Sequence, residues 1–133
     1  MKSVYLLLLS IMVFVSANSP PSEPSPTHIE SLIYPDFARA ARIQDTVKVD
    51  VIIDSNGEVS SAVATSGHPE LRKAAVANIR RWKFPPSSAT SSIQVDYVFK
   101  MEEPMRYYKP ETRNAFDLPT RVVVITNFPE PQP

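Results

Sequence analysis

The stretch Thr46-Val47-Lys48-Val49-Asp50-Val51-Ile52-Ile53, followed by Asp54-Ser55-Asn56-Gly57-Glu58-Val59, decides the fold. Val47, Val49, Val51 and Ile53 point one way, while Lys48, Asp50 and Ile52 point the other. That period of two predicts a strand buried on one face. Asn56-Gly57 is a strong hairpin signal, because both residues tolerate positive φ. Glu58 to Ser66 is the returning strand, with Val59 and Val63 expected on one face.

Working outward, Gly67-His68-Pro69-Glu70 opens a helix with Pro in its first turn. Leu71, Ala75, Ile79 and Trp82 form one apolar stripe, and Arg72, Lys73, Arg80 and Arg81 lie mostly off it. Phe84-Pro85-Pro86 stops the helix. Ser92 to Met101 is the cleanest strand. Ile93, Val95, Tyr97, Phe99 and Met101 alternate with Gln94, Asp96, Val98 and Lys100. Upstream, Ile29 to Gln44 reads as helical, with Pro35 at its start and Phe37 and Ala41 on one face. Downstream, Glu102 to Pro119 is polar and broken by proline. Thr120 to Phe128 holds Val122-Val123-Val124-Ile125, a fourth strand candidate.

The expected fold is therefore α+β: a small antiparallel three-stranded sheet with two helices on one face, and a possible fourth C-terminal strand. The preferred strand order is second, first, third. The last of these, Ile93 to Lys100, would lie at an edge, and an open edge is a template for another chain.

Length and composition bound the rest. The chain has 133 residues, 14 Lys+Arg against 14 Asp+Glu, no Cys, 2 Gly and 14 Pro. Balanced charge gives no argument for nucleic acid. The absence of Cys excludes a disulfide framework and a thiol nucleophile. Met1-Lys2, the apolar run Val4 to Val15 and the small residues around Val15-Ser16-Ala17 have the pattern of a secretory signal peptide. The rival reading is a short uncleaved anchor over residues 4–17. Either way the remainder is expected to lie outside the cytoplasm. Residues 18–28 are a Pro-rich linker, 29–101 the folded domain and 102–133 an extension with a strand at 120–128.

No catalytic constellation is evident. His28 and His68 lack spaced partners for a metal, and each reads as a solvated or capping histidine. Ser66-Gly67 lacks the spacing of a nucleophile elbow. Asp54 and Asn56 begin like a calcium loop, but no Glu stands at its twelfth position. Two glycines cannot build a usual phosphate loop. The expectation is a binding domain with no cofactor, not an enzyme.

Tyr34-Pro35-Asp36-Phe37-Ala38-Arg39, the hairpin Thr46 to Val59, Thr65-Ser66-Gly67-His68 and Arg81-Trp82-Lys83-Phe84-Pro85-Pro86 match several motifs together. In this order and spacing they resemble the TonB C-terminal domain family, over residues 34 to 101. The resemblance implies a periplasmic domain that binds a receptor segment, the TonB box, as an added strand. It implies partner binding by Tyr34, Pro35, Ile93, Gln94, Val95, Asp96, Tyr97, Val98 and Phe99. The partners implied are an outer-membrane receptor peptide and inner-membrane motor proteins; edge pairing also permits a homodimer.

Three departures from the family pattern bear on role. The leader is short and has no His, the spacer spans only about 30 Å at about 3.1 Å per residue, and Asp45 stands where Gly is usual. The alternatives to a receptor-binding module are an anchored energy transducer and a self-associating structural module. Pro119 to Thr126 is itself similar to a TonB box, so one expectation is that the tail pairs with the Ile93–Lys100 edge, in its own molecule or a neighbour's; the other is an ordinary fourth strand or a loose end.

Overall fold

Strand β1 (Asp45–Ile53) buries Val47, Val49, Val51 and Ile53 on one side and leaves the alternate residues exposed. A computed structural model describes residues 23–103, 112–118 and 120–129. The leader 1–17 and the first part of the linker lie outside the described residues. β1 pairs antiparallel with β2 (Val59–Ser66) on one side and with β3 (Ser91–Glu102) on the other. The order second, first, third is therefore as expected.

The hairpin turn is fixed by Asp54. Its carboxylate accepts from the N–H groups of Asn56 and Glu58 at 2.9 and 3.0 Å. Gly57 alone takes the positive φ, +82°. Its carbonyl accepts from the Phe84 N–H at 2.9 Å, and a Cβ there would lie 1.9 Å from the Phe84 carbonyl oxygen. The turn and the Lys83-Phe84 exit are thus in main-chain contact, which is why those two motifs belong together.

β2 departs from the simple alternation. The register passes from Lys48↔Ser66 to Val49↔Ala64, and from Ile52↔Ser61 to Ile53↔Val59. Thr65 and Ser60 are the extra residues, and their hydroxyls donate back to the Lys48 and Ile52 carbonyls. The bulge at Ser60 flips the parity of the strand. Ala62 faces the core, and Val63, expected to share a face with Val59, is 57 % exposed.

Helix α2 (Pro69–Ile79) packs over β1 and β2. His68 caps it, its Nδ1 accepting from the Glu70 N–H at 3.2 Å. Leu71, Ala75, Ile79 and Trp82 are all fully buried. Helix α1 is only Asp36–Ala40, much shorter than the Ile29–Gln44 expected. Its C-terminal end is a Schellman motif. Ile43 N–H donates to the Ala38 carbonyl and Arg42 N–H to that of Arg39, with Arg42 at φ 57°. Ala38 turns inward, and Phe37, expected on the apolar face, is 64 % exposed.

The sheet does not stop at three strands. β5 (Arg121–Asn127) pairs with β3, and β4 (Arg113–Asp117) pairs antiparallel with β5. The result is a mixed five-stranded sheet in the order β2-β1-β3-β5-β4, which corrects the expected three-stranded antiparallel one. The physical reason is apolar: Val122 and Val124 are fully buried, continuing the core face of β3, and a lone β3 edge would leave that face uncovered. The β3–β5 pairing is parallel, the one non-antiparallel pair among the described strands.

Candidate partner-binding edge

β3 presents its side chains in two sets. Ile93, Val95, Tyr97 and Phe99 are buried in the core, while Gln94 is exposed and Asp96 and Val98 are half-buried on the uncovered face. Side chains of the first set cannot meet a partner directly. They anchor the strand in the core. Tyr97 and Phe99 stack with centroids 6.4 Å apart, and Tyr34 meets Phe99 edge-on at 5.5 Å.

Tyr34 is therefore a core residue, 1 % exposed, with its hydroxyl donating to the Ile43 carbonyl at 2.6 Å. Pro35 is half-buried beside it and sets the start of α1. Burial pushes the Tyr34 hydroxyl up to about 12 and raises that of Tyr97 further.

The register between β3 and β5 runs from Asp96↔Arg121 to Glu102↔Asn127. Pairing starts at the Asp96 N–H, which donates to the Thr120 carbonyl at 2.7 Å. From there to Glu102 the edge of β3 is filled. Ser91 to Val95 have no strand partner on that side among the described residues. At the junction, Asp96 Oδ1 is buried and lacks a hydrogen-bond partner. Gln94, one step into the open half, donates from Nε2 to Asp50 Oδ1 at 2.9 Å on the uncovered face.

The other edges are guarded. β2 carries its two bulges, which bend an edge away from flat pairing. β4 is short and bears Arg113 and Asp117, and Arg113 is paired with Glu102 at 2.6 Å.

Two asparagines organise the surroundings, and sequence reasoning missed both. Asn78 is buried between α2 and β3. Its Oδ1 accepts from Trp82 Nε1 at 3.0 Å and from the Tyr97 hydroxyl at 2.8 Å, and its Nδ2 donates to the Glu30 carbonyl at 2.9 Å. The available signal was a polar residue set among Ala75, Ile79 and Trp82. Asn114 of β4 accepts from the Leu32 N–H at 2.9 Å and donates to the Leu32 carbonyl at 3.0 Å. No local pattern marks it, because its partner is 82 residues away. Among the described residues no cluster of His, Asp or Glu could hold a metal ion. No helix there is long and apolar enough to cross a membrane.

A family model described as Gram-negative bacterial TonB protein C-terminal matches residues 30–102. No curated protein matches the chain. The matched segment begins at the Asn78-bound Glu30 and ends with β3, so β4 and β5 lie beyond it. It takes in more than half of the 133 residues and both helices. Its motifs are the ones that touch in space, the Gly57 turn against Phe84 and Tyr34 against Phe99. The chain belongs to the TonB C-terminal family, α+β domains associated with TonB-dependent transport.

Proposed function

We propose that this protein is a periplasmic docking module that takes up an extended segment of an outer-membrane receptor as an added strand on β3. One observation carries the reading: β3 is filled by β5 only from Asp96 onward, leaving Ser91 to Val95 unpaired on the same side among the described residues. The open half is a place for an incoming strand to begin. Main-chain hydrogen bonds supply affinity there, and alternate side chains supply selectivity. The unpartnered Asp96 Oδ1 at the junction offers an acceptor to an arriving N–H or hydroxyl.

Beyond the junction the receptor segment exchanges with β5 step by step. It must replace Val122 and Val124 in the core, so small β-branched residues at alternate positions suit it. β5 is then the resident occupant of the edge, and its parallel register gives the direction of the segment that replaces it.

The test exploits the absence of cysteine. Val98 and Val123 are register partners on the uncovered face, so the V98C/V123C pair can lock β5 onto β3 in the full chain. A labelled receptor-box peptide is titrated against the reduced and oxidised forms by fluorescence anisotropy. The reduced form should bind, and oxidation should weaken binding by about tenfold or more, about 1.4 kcal/mol. Equal binding by both forms would refute strand exchange at β3.

A further inference from the structure

A further surface feature lies at the β2 edge of the sheet, away from β5. Between α2 and β2 runs a groove of about 600 Å³, lined by Ala64, Pro69, Val76 and Ala77, with Arg72, Lys73 and Arg80 on its rim. The apolar residues there are small and half-buried or exposed. Lys73 pairs with Glu70 at 3.2 Å. Arg72 and Arg80 have no carboxylate partner among the described residues. Two guanidiniums without a carboxylate partner among the described residues thus flank an apolar floor.

The spacing selects the ligand. Arg72, Val76 and Arg80 follow one another at every fourth position, so they form one row along the helix. At about 1.5 Å rise per residue the two arginines are separated by about 12 Å along the axis. In an extended peptide, residues four apart on the same side are separated by about 13 Å, and the residue midway points the same way. A segment with carboxylates four apart and a small apolar residue between them matches the row: carboxylate on Arg72, apolar side chain on Val76, carboxylate on Arg80.

We propose that this groove docks an extended acidic segment of a partner protein, of the pattern acid-x-apolar-x-acid. Charge complementarity identifies the occupant, and the same geometry argues against the alternatives. A single phosphate would require both arginine side chains to converge across Val76 from backbone positions about 12 Å apart along the axis. A lipid surface favours large protruding apolar residues among the cations, and the exposed large apolar residues Ile33 and Phe37 are not in the groove lining. The surface is independent of β3, so this site and the receptor edge can be occupied together.

The experiment uses the full chain and a labelled peptide with Asp at its first and fifth positions, Val at its third and Ser or Thr elsewhere. Its counterpart carries Asn in place of both Asp. The acidic peptide should bind saturably, and the Asn peptide about tenfold more weakly. R72E/R80E should lose binding by a similar factor and regain it for a peptide carrying Lys at both positions. That rescue cannot come from a change in folding, which circular dichroism checks separately. Equal affinity for the Asp and Asn peptides, absence of saturable binding, or failure of the Lys peptide to rescue would overturn the proposal. So would co-sedimentation with phosphatidylglycerol vesicles that R72E/R80E abolishes while the peptides do not bind. Oxidising V98C/V123C should leave this affinity unchanged; if it abolishes binding, the peptide occupies β3 and the groove assignment fails.

Discussion

Asn78→Leu isolates the cost of the buried hub. The substitution keeps side-chain volume close to constant and removes one acceptor and one donor. Trp82 Nε1 and the Tyr97 hydroxyl both lose their acceptor, and both residues are fully buried. Each orphaned buried donor costs about 1–3 kcal/mol. The apolar side chain offsets about 1 kcal/mol of that through burial. The net loss should be about 1–5 kcal/mol, a large part of the roughly 5–15 kcal/mol that holds a domain of this size.

Trp82 is the only tryptophan and sits in the hub, so urea unfolding followed by its fluorescence reads the change directly. The midpoint should fall by about 1–3 M. A double-mutant cycle sharpens the test. Tyr97→Phe alone should cost about 1 kcal/mol. In the Asn78→Leu background it should cost nothing or be stabilising, because it removes an orphaned hydroxyl, giving a coupling of about 1–2 kcal/mol. A loss below about 0.5 kcal/mol for Asn78→Leu, or simple additivity of the pair, would refute the reasoning.

Two further outcomes follow from the core and the turn. Tyr34 is pushed from 10.0 up to about 12 by burial, and Tyr97 moves in the same direction, so the folded protein retains phenolic protons that the unfolded chain releases. Stability from this source is complete below pH 10 and is lost as pH rises from 10 through about 12. Thermal melts across that range, alongside tyrosinate absorbance, should show unfolding and ionisation of these two residues together; ionisation at ordinary tyrosine pH in a still-folded protein would contradict it. Gly57→Ala should destabilise by more than ~2 kcal/mol, because the residue has φ +82° and a Cβ would meet the Phe84 carbonyl. A melting point lowered by less than about 4 °C would show that the turn relaxes away from Phe84.

Much of the fold was legible because it is local. β1, α2 and β3 each carry a full period of alternation or helical stripe, and Asp54 to Gly57 supplies the turn chemistry between β1 and β2. What escaped was non-local or came from one displaced residue. Ser60 adds one residue to β2, and that alone moves Val63 to the outside and Ala62 to the core. Ile29 to Tyr34 are extended, not helical, because their main-chain partners are distant: Glu30 bonds Asn78, and Leu32 bonds Asn114. β4, Arg-Asn-Ala-Phe-Asp, has no β-branched residue and takes strand form only against β5. β5 itself was visible in Val122 to Ile125, but not its parallel direction, which depends on the β4–β5 hairpin.

The same logic applies to the proposed binding edge. Strand β3 itself was legible in the alternation from Ile93 to Met101. That Tyr34, Ile93, Val95, Tyr97 and Phe99 turn inward is a consequence of the core they share. The arginine row on α2 was readable as charges lying off the apolar stripe, but the groove it borders required β2 to be placed.

The clasp between Asn114 and Leu32 joins two parts of the molecule that a visiting strand would not touch together. Among the described strands β4 pairs only with β5. A ligand that peels both strands from β3 must also break the two hydrogen bonds by which the Asn114 side chain holds Leu32. Occupancy of the edge and freedom of the segment that leads in from the N-terminus are then thermodynamically linked. By reciprocity, tension on that leading segment that strips Leu32 from its clasp loosens the hairpin and raises the affinity of the edge for its visitor. Under the proposed strand exchange, pull at one end would register as readiness to grip at the other.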